Sequence, residues 1–124
     1  MPGAGGDGPP GAGNYTFTAL ATTEAQIQRN PRTVEAVIRA VVRAQAALRA
    51  EPARARDVGA RLFPTLEAEL IDQVIQHDVA FYSASITEEA IEQVSQFAQS
   101  EGLVSRPVPY DDVVATAFRD LWCT

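Results

Sequence analysis

The sequence has 124 residues, of which 46% are hydrophobic and 21% are charged, a mixture typical of a globular chain rather than a disordered one. Aspartate and glutamate total 16 against 10 for lysine and arginine, which gives a net charge of −6 and argues against nucleic-acid binding. The single cysteine, Cys123, excludes an internal disulfide and a zinc site built from cysteines.

The start of the chain does not have the pattern of a targeting segment. Residues 1–13, MPGAGGDGPPGAG, lack the basic and apolar regions of a secretory signal, and no apolar run in the sequence approaches the ~20 residues that cross a bilayer. Their glycine and proline content predicts a flexible tail. We expect residues 14–124 to fold, and the chain to be cytoplasmic if Met1 is the natural start.

The first predicted element is a β-strand over residues 15–23, YTFTALATT. Its aromatic and β-branched residues alternate in the way that strands favour. A single strand cannot form a sheet, so its partner is expected to lie in another polypeptide segment or another chain.

Two helices are predicted next. Thr23 and Gln26 form a capping box, which predicts a short helix from Glu24 to about Arg29. Asn30-Pro31 places an N-cap before a proline at the first helical position, and the following helix should end near Ala50. Its predicted inward face consists of Val34, Val37, Ile38, Val41, Val42 and Leu48.

Four further helices complete the predicted order. Pro52 begins a helix with Ala55, Val58 and Leu62 facing inward. Thr65 is expected to cap the next helix and Thr87 the one after it, while Gly102 suits a left-handed helix stop followed by an inward Leu103. Asp111 or Asp112 is expected to cap the last helix. The inward faces are predicted to be Leu66, Leu70, Ile71, Val74 and Ile75, then Ala90, Ile91, Val94, Phe97 and Ala98, then Val113, Val114, Ala117, Phe118 and Leu121.

The sequence contains no constellation of residues that indicates catalysis. His77 is the only histidine and is expected at a helix end, without the further ligands that a metal site needs and without a nucleophile beside it. The pairs Glu88-Glu89 and Asp111-Asp112 are explained by helix N-termini, since neighbouring helical residues do not share a face. We therefore expect no enzyme activity, no cofactor and no metal.

The order of the segments carries a family resemblance. The strand is followed by NPRTVEAVIRAVVRAQAALRAEPARARDVGARLFP, then by ITEEAIEQVSQFAQSEGLV and PVPYDDVVATAF. This order resembles the C-terminal part of ABC-importer substrate-binding proteins of the nitrate/sulfonate/taurine type and of the related thiamine-pyrimidine-precursor binders, in the type 2 periplasmic binding protein superfamily. The resemblance runs from about Asn14 to Phe118. One departure is Glu51 before Pro52, where that family often has asparagine as the cap.

The resemblance implies a fold and a function. It implies a mostly α chain within an α/β parent fold, with one strand followed by five or six helices, equivalent to the last third of a two-lobed protein. The intact form would capture a small organic or anionic solute outside the cytoplasmic membrane, in the periplasm or its equivalent, and deliver it to an ABC permease. Asn14, Tyr15 and Thr16 would lie nearest the ligand cleft. The cysteine- and histidine-containing region of the pyrimidine synthase branch has no counterpart in this sequence.

A second hypothesis remains open beside this resemblance. The chain could be a free-standing helical interaction module, in which two copies share the predicted strand as a homodimer. Apolar surface left uncovered by missing strands would favour such an association.

Overall fold

The computed structural model describes residues 18–122, and all regular structure in this range is helical. The helices are α1 Glu24–Arg29, α2 Pro31–Ala50, α3 Arg54–Leu62, α4 Thr65–Asp78, α5 Glu88–Ser100, α6 Tyr110–Val113 and α7 Arg119–Trp122, with 3₁₀ turns at Val79–Phe81 and Thr116–Phe118. The predicted mostly helical class is confirmed. No helix in the described range is long and apolar enough to cross a membrane.

The predicted strand is not observed in the described part of the chain. Residues 18–23 form no ladder with any other described segment and lead directly into α1. Residues 15–17 of the predicted strand, the tail over residues 1–13 and Cys123 lie outside the described residues. The α/β parent fold therefore stays a prediction.

Local signals in the sequence placed several helix ends correctly. The Thr23 hydroxyl accepts a hydrogen bond from the Gln26 amide at 3.2 Å, and the Thr87 hydroxyl accepts one from the Ala90 amide at 3.1 Å. Gly102 has a φ of 70°, and the amide of Leu103 donates to the carbonyl of Ala98 at 2.8 Å. This is the bonding pattern of a Schellman helix stop.

Other end signals were wrong in detail. Asn30 precedes Pro31 as predicted, but its side chain makes no capping hydrogen bond. Thr65 is the first residue of α4, with Pro64 at the N-cap position. Asp111 and Asp112 lie inside the first turn of α6. In each case a neighbouring proline, whose φ is fixed, sets the start of the helix.

The described residues divide into two compact units. The larger unit comprises Thr22–Ala84 together with residues 120–122, and the smaller unit comprises Ser85–Arg119 together with residues 18–21. In the larger unit α3 packs closely on α4. A Cβ atom placed on Gly59 of α3 would lie only 3.4 Å from the Cα and Cβ atoms of Ala68 of α4, so the missing side chain allows this close approach. The α2 helix is joined to the chain after α4 by hydrogen bonds from the Arg49 guanidinium to the Tyr82 carbonyl and from Gln45 to the Ser83 carbonyl.

In the smaller unit, side-chain hydrogen bonds hold the proline-rich segment between α5 and α6. The Tyr110 hydroxyl donates to the Ile86 carbonyl at 2.6 Å, and the Val108 amide donates to the buried Ser95 hydroxyl at 2.9 Å. Leu103 was expected to fold back on α5 but is 73% exposed. The backbone hydrogen bonds of the Schellman stop therefore end the helix without a side-chain contact from Leu103.

The core of the described chain is thin. No side chain in residues 18–122 is completely buried. Several residues predicted to face inward are exposed instead, because each helix contacts few neighbours and a helical repeat does not say how much of an apolar face a neighbour covers. The buried apolar residues are Val34, Ala55, Ala68, Ala90, Val114, Phe118 and Trp122. The exposed ones that were predicted inward are Val37, Val41, Val58, Leu62, Leu66, Leu70, Val74, Val94, Phe97, Leu103 and Val113.

Candidate functional site

A buried carboxylate links α3 to α4. Asp72 is only 4% exposed, and its Oδ2 atom accepts hydrogen bonds from the Nη2 and Nε atoms of Arg56 at 2.8 and 3.2 Å. Its Oδ1 atom accepts a bond from the Gln76 amide at 3.1 Å. The Gln76 hydrogen bond, followed by the hydrogen bond and charge of Arg56, lowers the pKa of Asp72 below its ordinary value. The carboxylate is therefore ionised and fully paired.

An open groove on the larger unit runs along this ion pair. Its polar lining combines one guanidinium, two carboxylates, two amides and a hydroxyl. The lining residues are Arg56, Ala60, Thr65, Ala68, Glu69, Asp72, Gln73 and Gln76. The ion pair between Arg56 and Asp72 joins α3 to α4. Because Arg56 already neutralises the Asp72 carboxylate, the groove has no unpaired buried charge with which to bind a ligand. Within residues 18–122 no cluster of three histidine, cysteine or acidic side chains could hold a metal ion.

His77 lies near the end of α4, as predicted. Its side chain is largely exposed, and its Nδ1 atom lies 2.7 Å from Asp78 Oδ1. The geometry gives His77 the role of a polar helix-end residue.

The paired acidic residues lie where helix N-termini predict them. Glu88 and Glu89 are in the first turn of α5, and Asp111 and Asp112 are in the first turn of α6. Glu89 accepts a hydrogen bond from Gln93 at 3.3 Å, one turn later on the same helix. This contact is local to α5, and within residues 18–122 the two acidic pairs do not form a cluster that could hold a metal ion.

The candidate ligand residues Asn14, Tyr15 and Thr16 lie outside the described residues, so they stay a prediction. Two features were not predicted from the sequence. The first is the Arg56–Asp72 pair, for which the only signal is an aspartate within the mostly apolar stretch LIDQVI. The second is the direction in which the apolar residues of α4 point.

The outer surface of α4 carries large apolar side chains that face water. Leu66, Leu70 and Val74 are 82%, 60% and 48% exposed, although their spacing of four residues predicted a core face. Ala68 and Asp72 are the buried residues of this helix. We define the outer stripe as these three residues with the exposed apolar residues directly before and after α4, namely Leu62, Phe63, Leu66, Leu70, Val74 and Phe81.

No protein-family model, curated protein or solved structure matches this chain.

Proposed function

We propose that this chain is the C-terminal part of an extracytoplasmic solute-binding protein that captures a small organic or anionic solute for an ABC importer. The order of segments supports the proposal. An Asn-Pro pair precedes the long α2, a shorter α3 follows Pro52, Thr87 caps α5, and Tyr110 begins the last segment of short helices. The family resemblance places the segments in the same order, but with one closing helix, which is divided here into α6, a 3₁₀ turn and α7.

The thin core is the observation that carries this proposal. Val37 and Val41 of α2, and Val94 and Phe97 of α5, keep a large part of their side chains exposed. Domains are built from at least two layers that cover each other's apolar faces. Helices with uncovered faces are therefore expected to need a further layer, and the sheet of an α/β lobe would supply one.

The proposed protein is a binding protein and not an enzyme. Asn14, Tyr15 and Thr16 would contact the solute, which would be held between two lobes, and an ABC permease would receive it outside the cytoplasmic membrane. The acidic groove beside Asp72 would have no part in solute binding, because its buried charge is already paired with Arg56.

Two measurements test the proposal: sequencing of the DNA before Met1, and calorimetry of solute binding by the protein that this DNA encodes together with residues 1–124. We expect the coding DNA before Met1 to continue in frame into a first lobe, and the joined protein to bind a sulfonate or a pyrimidine precursor. Residues 1–124 alone should bind neither tightly, since lobe closure assembles the contacts and excludes water. In the joined protein, Tyr15→Ala should weaken binding, while the matched control Tyr82→Ala should not.

Either of two results would contradict the proposal. One is tight binding of these solutes by residues 1–124 alone. The other is an upstream region that encodes no lobe, combined with a chain that is stable and monomeric by itself.

A second candidate function is a helical interaction module, and the outer stripe of α4 favours it. A monomeric protein rarely exposes a contiguous apolar patch larger than a few hundred Å². Leu66 and Phe81 are 82% and 79% exposed, which is unusual for side chains of this size. In this function the stripe would bind a protein partner directly.

A further inference from the structure

The outer stripe of α4 offers enough apolar area for a stable protein interface. With about 200 Å² for a fully exposed large side chain, the exposed fractions of its six residues give roughly 700 Å² per chain. A standard protein–protein interface buries about 800 Å² per partner.

The other side of α4 is already occupied. Ala68 and Asp72 are buried, with Ala68 against Gly59 and Asp72 bonded to Arg56. A residue advances about 100° around a helix, which places Leu66 and Leu70 nearly opposite that buried pair. The apolar side chains of the stripe are therefore not part of the contact with α3, and an α-helix that is apolar on opposite sides needs a second neighbour.

Three residue pairs lie symmetrically about the level of Asp72 with matching or complementary side chains, whereas Leu66 has Asp78 as its counterpart and Leu62 has Tyr82. Leu70 and Val74 lie two residues from Asp72, Glu67 and His77 lie five, and Phe63 and Phe81 lie nine. An antiparallel pairing of two copies of α4 around a two-fold axis at this level exchanges the members of each pair. Leu70 then meets Val74 of the second copy, and Glu67 meets His77 of the second copy.

From this self-complementarity we infer that the chain forms a homodimer through the outer stripe, with α4 of the two copies antiparallel. A two-fold interface needs one patch that complements itself, and this register pairs Leu70 with Val74, Phe63 with Phe81 and Glu67 with His77. The inference rests on the interaction-module function and names its partner as a second copy. It does not depend on the solute-binding proposal.

Analytical ultracentrifugation of the full chain over a range of concentrations tests the dimer. We expect a reversible monomer–dimer equilibrium that Leu66→Asp weakens roughly 30-fold or more, because the new carboxylate is placed in the interface opposite Asp78 of the second copy. The matched control is Leu103→Asp, because Leu103 is 73% exposed but lies outside the stripe. It should leave the equilibrium unchanged, and circular dichroism should show both variants folded.

A charge exchange tests the antiparallel arrangement. His77→Glu places an acid opposite Glu67 of the second copy and should weaken dimerisation about tenfold at low salt, since the two-fold dimer contains two such exposed pairs and each contributes about threefold. The double variant Glu67→Arg with His77→Glu should restore it. A double variant as weak as the single one would overturn the antiparallel register.

A monomer at all concentrations, or a dimer that Leu66→Asp leaves intact, would overturn the inference. The interaction-module function has a separate readout, which is the binding of an apolar dye to the monomer. If the dye binds and Leu66→Asp reduces its binding while Leu103→Asp does not, the stripe is an available surface even when no dimer forms. If Leu66→Asp leaves dye binding unchanged, the interaction-module function fails as well.

Discussion

The two sides of α4 differ in exposure: the inner side has the buried Ala68 and Asp72 with the half-buried Ile75, and the outer side has the exposed Leu66, Leu70 and Val74. Ala68 and Asp72 lie against α3, whereas Leu66 and Leu70 point into water. Gly59 and Ala68 allow the two helices to approach closely, and the bond from Arg56 to Asp72 fixes them at that distance. Close approach and a paired charge thus decided which side packs, and hydrophobicity alone did not.

Of the substitutions on α3 and α4, a larger residue at Gly59 should destabilise the contact between the two helices most strongly. A Cβ atom there would already lie 3.4 Å from the Cα and Cβ atoms of Ala68, so the further atoms of Gly59→Leu must push α3 away from α4. We expect the free energy of unfolding to fall by about 2 kcal/mol, as in other overpacked contacts. Chemical denaturation measures it, with the exposed neighbour Ala60→Leu as control. An unchanged midpoint would show that the close contact does not hold the two helices together.

Removing the charge of Asp72 should lower the stability of the folded chain by an amount that depends on pH. The pKa of this carboxyl is lowered from 3.8 by hydrogen bonds from Gln76 and Arg56. As the pH falls, the unfolded chain therefore takes up the proton first. The stabilisation is complete above pH 3.8 and is lost as the pH falls through the lower pKa of the folded chain.

We therefore expect Asp72→Asn to melt several degrees below the natural protein at pH 7. The two melting temperatures should converge as the pH falls through the lowered pKa of the folded chain, where the natural side chain also becomes neutral. Thermal melts followed by circular dichroism measure this, and Asp57→Asn, at an exposed position of α3, is the control. A difference that stays constant in acid would mean that packing, and not charge, is the contribution of Asp72.

Substitution on the outer side should have the smallest effect on the folded monomer. Leu66→Gln removes no buried contact, since Leu66 is 82% exposed, and we expect a change within about 0.5 kcal/mol. The measurement is denaturation at a protein concentration low enough to exclude association. A loss above about 1 kcal/mol would contradict the contrast between the two sides of α4, because it would mean that the stripe packs within the monomer.

Short-range chemistry in the sequence predicted much of the helical order. Thr23 and Thr87 cap their helices through hydroxyl groups, and Gly102 ends α5 with a positive φ. Each of these interactions spans only a few residues and needs no partner from elsewhere in the chain. Thr65 and Asp111 failed as caps because the adjacent proline sets the helix start one or two residues earlier.

The candidate site could be predicted much less well. The Arg56–Asp72 pair joins residues 16 positions apart on two helices, and no local spacing rule relates them. The outer stripe of α4 was found as an apolar face, but it was assigned to the core. A spacing of four residues identifies one side of a helix without saying whether a neighbour covers it.

The sequence by itself determined where the helices lie and how several of them begin and end, because capping and helix periodicity act over a single turn. Only the tertiary structure decided which side of each helix is buried. That choice depends on how closely two helices can approach, and the absence of a side chain at Gly59 decides it for α3 and α4. The large leucines of α4 were left outside, on the surface that we infer a second copy covers.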